Sequence, residues 1–307
     1  MMDRASDIAL PMNLAHAVRK ALDLSEDEPL TRELLAQVEL FEEGDEFEGE
    51  DLRALSQLPR LRMLDLSGNT RSNGADLAHL AKITSLTYLS LAHVGVDDSA
   101  LAHLANLTSL VQLNLDYTQV RDPGLSHLRG LTSLKSINLG STQVRGRGLA
   151  HLSGLTSLER LTLSFAPVED DGLAHLSNLT SLLELRLAAT KVGDAGLAHL
   201  SGLTTLETLC LFETQTGNAG LAHLAGLTSL NWLDLRYTRV EDDGLIHLAG
   251  LPLLKTLDLE RTQVGNTGLA HLVGLNTLRV VFLQNTRVTP EGRDWLQECL
   301  PNCRIVY

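Results

Sequence analysis

The stretch GLAHLSNLTSLLELRLAATKVGDA, Gly172–Ala195, returns with small changes through most of the 307-residue chain. Its histidine marks the period. His79, His103, His127, His151, His175, His199, His223, His247 and His271 stand 24 residues apart, one after the next. A fixed period of this length with L-x-x-L-x-L spacing is the trace that stacked supersecondary units leave in a sequence. Such units bury their apolar faces only against their neighbours. The chain therefore reads as one repeat domain that grows in a single direction, although its length alone would suggest two globular domains.

The unit that begins at Leu110 shows how one repeat folds. Leu110, Leu113 and Leu115 point inward, and period-two alternation sends Gln112, Asn114 and Asp116 to the other face. Equivalent leucines at Leu61, Leu86, Leu134, Leu158, Leu182, Leu206, Leu230, Leu254 and Leu278 predict ten parallel strands, and Val38–Leu40 predicts an eleventh. After each strand a threonine recurs (Thr118, Thr142, Thr190, Thr214, Thr238, Thr262, Thr286), with Asn69 in the first repeat and Val94 and Ala166 as exceptions. A buried hydroxyl there is expected to bond the backbone of the turn. A valine plugs the core two residues later in most repeats; Arg71 and Thr216 replace it. The Gly-Leu-Ala-His-Leu run reads as a short helix. Asp122, Asp170, Asp194, Asn218, Asp242 and Asn266 are its expected N-caps, and leucines such as Leu197, Leu200 and Leu203 form its buried side.

The ends depart from the repeat, as the caps of a stacked array must. Asn13 is expected to cap a helix through Leu22, and Thr31 a second near Leu34 and Leu35. Thr289-Pro290 opens a C-terminal helix carrying Trp295, Leu296, Cys299 and Leu300, and Ile305-Val306-Tyr307 adds a last strand. Three segments follow: an acidic N-terminal cap over 1–57, the repeats over 58–288 and a C-terminal cap over 289–307.

These residues resemble the bacterial leucine-rich repeat family over about residues 31–307. The Gly-Leu-Ala-rich helices and the terminal Leu300-Pro301-Asn302-Cys303 are similar to those of GALA-type, effector-like members. The resemblance implies an α/β leucine-rich repeat solenoid of horseshoe form, with a parallel sheet on the concave face and short helices on the convex face. It also implies recognition of proteins on the concave face. Leu10-Pro11 resembles the start of the F-box that some effector relatives carry, and the rest of that module has no clear counterpart.

Composition narrows the function. The net charge is −13, and residues 23–51 hold thirteen acids against Arg32 alone. The repeats are thus nearly neutral and show no basic stripe of the kind nucleic-acid binding needs. The acidic segment reads as a solvated cap surface. Three cysteines make no disulfide framework and lack zinc-ligand spacing. The N-terminus lacks the apolar core of a signal peptide, and no apolar run is long enough to span a membrane, so a cytoplasmic protein is expected, with signal-independent secretion as the other route. The histidines form a line of single side chains, whereas a metal site needs three or four ligands converging on one point. They read as a repeat position. No catalytic constellation stands out, so neither an enzyme nor a cofactor is expected.

The candidate site rests on aromatic placement. Tyr88, Tyr117, Phe165, Phe212, Trp232, Tyr237 and Phe282 all fall where the alternation sends side chains to the concave solvent face. Exposed aromatics mark binding surfaces; packing against one another along the sheet is the alternative. The span from Phe212 to Arg261 is the expected centre. There Glu213, Asp234, Arg236, Asp258, Glu260 and Arg261 accompany the aromatics. The expected function is non-enzymatic binding of a protein or peptide, with glycan binding, or action of a secreted effector on a host protein, as the alternatives.

Overall fold

The computed structural model describes residues 8–42, 44–71 and 73–307. Glu43, one of the thirteen acids, and residues 1–7, part of the N-terminus read for a signal peptide, lie outside them. The chain forms two compact units, residues 1–138 and 139–307.

Both units are built the same way. In the first, β1 (Leu40–Phe41), β2 (Met63–Asp65), β3 (Tyr88–Ser90), β4 (Gln112–Asn114) and β5 (Ser136–Asn138) pair in parallel, each with the next in the chain. In the second, β6 (Arg160–Thr162), β7 (Glu184–Arg186), β8 (Thr208–Cys210), β9 (Trp232–Asp234), β10 (Thr256–Asp258), β11 (Val280–Phe282) and β12 (Arg304–Val306) do likewise. Short α- and 3-10-helical turns return the chain after each strand. The expected α/β solenoid with a parallel sheet is thus what the chain adopts, and the strand read at Val38–Leu40 lies slightly later, at Leu40–Phe41.

Register explains the repeat phrase. From β2 onward, Leu113 sits opposite Leu89 and Ile137, and Leu233 opposite Leu209 and Leu257, so each core leucine stacks on its own equivalents. All ten strand-opening leucines are at most 2% exposed, as are Leu197, Leu200 and Leu203 on one helical turn. Each such side chain contributes about 1.5–3 kcal/mol through burial.

The threonine row does what its position predicted. The hydroxyls of Thr118, Thr142, Thr190, Thr214, Thr238, Thr262 and Thr286 donate to the carbonyl three residues back at 2.6–2.8 Å. Asn69 instead donates to the Phe47 carbonyl at 2.8 Å. Thr216, which replaces the core valine, is wholly buried and shares a hydrogen bond with Thr214 at 2.9 Å.

The acid before each glycine plays a different part from the N-cap expected of it. Asp170, Asp194, Asn218, Asp242 and Asn266 lie inside the first turn, and none caps its own helix. Their Oδ1 atoms accept a backbone N–H from the following repeat. Gly193 donates to Asp170 at 2.6 Å, Gly217 to Asp194 at 2.6 Å, Glu241 to Asn218 at 2.8 Å, Gly265 to Asp242 at 2.5 Å and Thr289 to Asn266 at 2.9 Å. In the first unit Asp98 accepts from Arg121 at 2.7 Å. The same side chains explain the glycine of the phrase. A Cβ on Gly196 would come within 2.5 Å of Asp170 Oδ1, and one on Gly220 within 2.5 Å of Asp194 Oδ1. That glycine is needed for close approach; its backbone angles are ordinary.

The ends are tied down by polar groups. The helix Met12–Leu22 begins after Pro11, so Asn13 lies inside it and does not cap it. Asn13 Nδ2 and the Leu14 N–H both donate to Asp51, a buried carboxylate that also accepts from the Glu48 N–H. Thr31 and Thr289 cap their helices as expected, accepting from Leu34 and Gly292 at 3.3 Å. In the C-terminal helix Pro290–Cys299, Leu296 is buried while Trp295 is 42% exposed.

Gly196→Ala is expected to destabilise the protein by about 1–3 kcal/mol through overpacking. Asp170→Ala is expected to cost about 1–2 kcal/mol through the lost hydrogen bond. Because the two side chains contest one space, the double variant should lose less than the sum, read from denaturant unfolding midpoints.

Candidate functional site

The solvent face of the strands is where the repeats differ from one another. Three of the seven aromatics expected there lie in strands: Tyr88 in β3, Trp232 in β9 and Phe282 in β11, all partly exposed. Phe212, Tyr117, Phe165 and Tyr237 lie just beyond the strand ends, in the turn, which corrects their expected place. Tyr117 is 59% exposed, Phe165 60% and Tyr237 43%.

Tyr117, Phe165 and Tyr237 share a backbone feature the sequence reading missed. They belong to a row of left-handed residues at His93, Tyr117, Ser141, Phe165, Ala189, Glu213, Tyr237, Arg261 and Asn285, with φ between 51° and 61°. Gly68 takes this conformation in the first repeat, which was the available signal. The turn continues the ladder. Phe165 N–H donates to the Ala188 carbonyl at 2.7 Å, and Tyr237 N–H to that of Glu260 at 3.1 Å. A bulky residue in this region costs about 1–2 kcal/mol relative to right-handed backbone. The chain holds three aromatics there with much of their surface in solvent.

In the first unit, Tyr117 stacks on His93 with ring centres 4.4 Å apart and planes at 16°. Tyr88 donates its hydroxyl to Asp65 at 3.3 Å. Phe165, at the start of the second unit, stands apart from the Phe212–Arg261 cluster.

That cluster is held by charge. Asp234, expected on the exposed face, is fully buried. Arg236 covers it, donating from Nε at 3.0 Å and Nη2 at 2.8 Å. The same guanidinium lies 3.4 Å from Asp258 and 5.0 Å from the centre of the Phe212 ring. Phe212 meets the Tyr237 ring edge-on at 5.3 Å, and Arg261 sits 4.9 Å over Tyr237. Glu260 approaches Arg261 at 3.8 Å, and Glu213 is exposed beside them. The order of the set is thus carboxylate, arginine, aromatic, aromatic, arginine. Asp234 fixes Arg236 from below, and Arg236 in turn orients Phe212.

Cys210, read from sequence as one of three unpaired cysteines and not as a site residue, completes the base of this cluster. Its thiol lies 3.5 Å from Asp234 Oδ2, and burial pushes its pKa up to about 11, with the Asp234 charge adding to the rise. It is therefore a neutral thiol at ordinary pH. Burial likewise pushes Asp258 up to about 6; the nearby Asp234 charge adds to the rise, while the Glu260 N–H and Arg236 oppose it. Arg236 is held charged above its ordinary value, chiefly by its hydrogen bonds to Asp234.

The histidine row lies on the helical turns, half-buried to exposed. Among the described residues no group of three or more histidines, cysteines or carboxylates is placed to share a metal ion. No helix of the described residues is long and apolar enough to cross a membrane.

A family profile described as leucine-rich repeat region matches residues 46–294. No curated protein sequence matches the chain. Among solved structures, an internalin of Listeria monocytogenes, inlF, matches with a TM-score of 0.68 and 22% identity, over 96% of this chain and 94% of that one. Internalin C2 of the same species matches with a TM-score of 0.61 and 27% identity, over 77% of this chain and all of that one. The ectodomain of the Arabidopsis receptor kinase HAESA, solved with a peptide hormone bound, matches at 0.56 and 21%, over 77% of this chain and 40% of that one. At these identities the HAESA and inlF matches speak to the fold.

Two outcomes are expected. Phe165→Asn should raise the stability by up to about 1 kcal/mol, because asparagine tolerates left-handed backbone better; chemical denaturation reads the change. For Asp258, a folded pKa above the unfolded one means the folded state holds its proton more tightly. The stability it contributes is present below about pH 4 and is lost as pH rises towards about 6. Asp258→Asn should therefore gain on wild type as pH rises from about 4 to 7, by on the order of 1–3 kcal/mol. Melting curves across that range test the sign.

Proposed function

From the premise that this chain belongs to the leucine-rich repeat family, whose profile spans most of it, we propose that it is a binding module that holds a protein or peptide on the strand face of its second unit. The observation that carries this reading is the Phe212–Tyr237 pair braced between Arg236 and Arg261. Core packing does not account for these side chains, since the core beneath them is already filled by leucines. Tyr237 is 43% exposed on a backbone conformation that disfavours it. Aromatic and arginine side chains, fixed in place before binding, are the usual energetic centres of protein interfaces. Pre-ordering them lowers the entropy lost on association.

Trp232 lies two residues before Asp234 in β9, in register with Thr208 and Thr256 on its neighbours, and extends the surface along that strand. The peptide-bound HAESA ectodomain shows that a related fold accommodates a peptide. Asp234 serves as a positioning residue, since it reaches the surface only through Arg236.

The test is affinity capture from native-source lysate with wild type beside Trp232→Ala/Tyr237→Ala, both checked for an unchanged melting curve. A bound protein retained by wild type and weakened by more than about 1–2 kcal/mol in the variant is the expected result. Equal affinity of both for that protein would remove the site from this face.

A further inference from the structure

On the strand face of the second unit, most cations are matched. Arg160 lies 3.9 Å from both Glu159 and Glu184, Arg186 pairs with Glu184, Arg236 with Asp234 and Asp258, and Arg261 with Glu260. At the C-terminal end the pattern changes. Lys255 and Arg279, each one residue before its strand, and Arg304, the first residue of β12, make no ion pair among the described residues. They are close together by construction. The Arg279 N–H donates to the Lys255 carbonyl and the Arg304 N–H to the Arg279 carbonyl, each at 2.8 Å. Adjacent strands lie about 4.8 Å apart, so the exposed Lys255 and Arg279 stand side by side as equivalents, and the exposed Arg304, in register with Val280 one residue further on, completes a cluster of like charge.

The acids nearby are engaged elsewhere. Glu207, the equivalent of Lys255 two strands back, accepts from Asn231 at 3.4 Å. Asp258 faces Arg236, and Glu260 faces Arg261. Beside the cations Trp232, Val280 and Phe282 are all partly exposed, with Thr256 and Asp258 on the strand between them. Resting on the reading of this face as the binding surface, we propose that β9–β12 receive an acidic polypeptide segment of another protein. Its carboxylates meet Lys255, Arg279 and Arg304, and an apolar side chain of the segment lies against Trp232, Val280 and Phe282. Among the described residues no carboxylate pairs with these cations, and an acidic ligand relieves the repulsion among them. A basic ligand would add to the repulsion.

The probe is a short fluorescein-labelled peptide of alternating Glu and Leu, with its Lys-for-Glu counterpart as control, read by anisotropy on the full chain. The acidic peptide is expected to bind wild type and the basic one not. Affinity should fall about tenfold or more in Lys255→Glu/Arg279→Glu, and likewise between about 0.1 M and about 1 M salt. Lys255→Ala/Arg279→Ala, with a melting curve checked against wild type, should fall in the same direction by less. No binding of the acidic peptide, equal binding by wild type and the reversed variant, or preference for the basic peptide overturns the proposal. Concentration-dependent self-association that the charge reversal abolishes also overturns it, because a second copy's acidic segment would then be the occupant. A partner captured by wild type, lost by Trp232→Ala/Tyr237→Ala and kept by the charge-reversed variant would leave the binding face standing and refute its acidic ligand.

Discussion

The structure depends on one constraint: within each unit, from β2 onward, a strand residue must sit beside its own equivalent, one repeat away, at the spacing of a parallel strand pair. Once that register is set, a leucine finds a leucine and a threonine corner finds a threonine corner. The hydrogen bond from one repeat's Asp or Asn to the next repeat's backbone is the local device that enforces it outside the sheet. It also dictates the glycine that makes room for it. A solenoid has only nearest-neighbour contacts to draw on, so each of these small terms recurs and the sum sets its stability.

Repetition separates structure from function in an unusual way. Whatever returns every repeat belongs to the scaffold, and the histidine row is a case: conspicuous in sequence, it occupies a partly exposed helical edge. Departures from the repeat are where the strand face of one repeat differs from the next. The third residue of β6 to β11 runs Thr162, Arg186, Cys210, Asp234, Asp258 and Phe282, five residue types on an unchanging backbone. Where buried Asp234 appears, Arg236 is drawn down to it, and the aromatic pair is then ordered from beneath. The price of that order is a second carboxylate, Asp258, held with its pKa raised to about 6.

Much of this was legible without coordinates. The strand positions, the threonine corner, the Thr31 and Thr289 caps and the cluster from Phe212 to Arg261 follow from periodicity and residue chemistry. Alternation of side chains is a local property, and it was enough to place Trp232 and Phe282 on the open face. It failed at Tyr117, Phe165 and Tyr237 because the strand ends before them and the backbone turns left-handed. Period-two reasoning carries no information once the extended conformation stops.

The sequence by itself determined the repeat and the leucine core, because those depend on spacing along one chain. Tertiary structure decided what touches what between repeats. Asp194 looked like a helix cap and bonds the next repeat instead, because it lies inside the first turn and its carboxylate reaches the Gly217 N–H across the stack. Asp234 looked like a surface acid and is buried, because Arg236 folds over it and Asp258 arrives from the neighbouring strand. Asp194 and Gly217, and Asp234 and Asp258, stand about one repeat apart, and such distances are not encoded by side-chain alternation within a single strand.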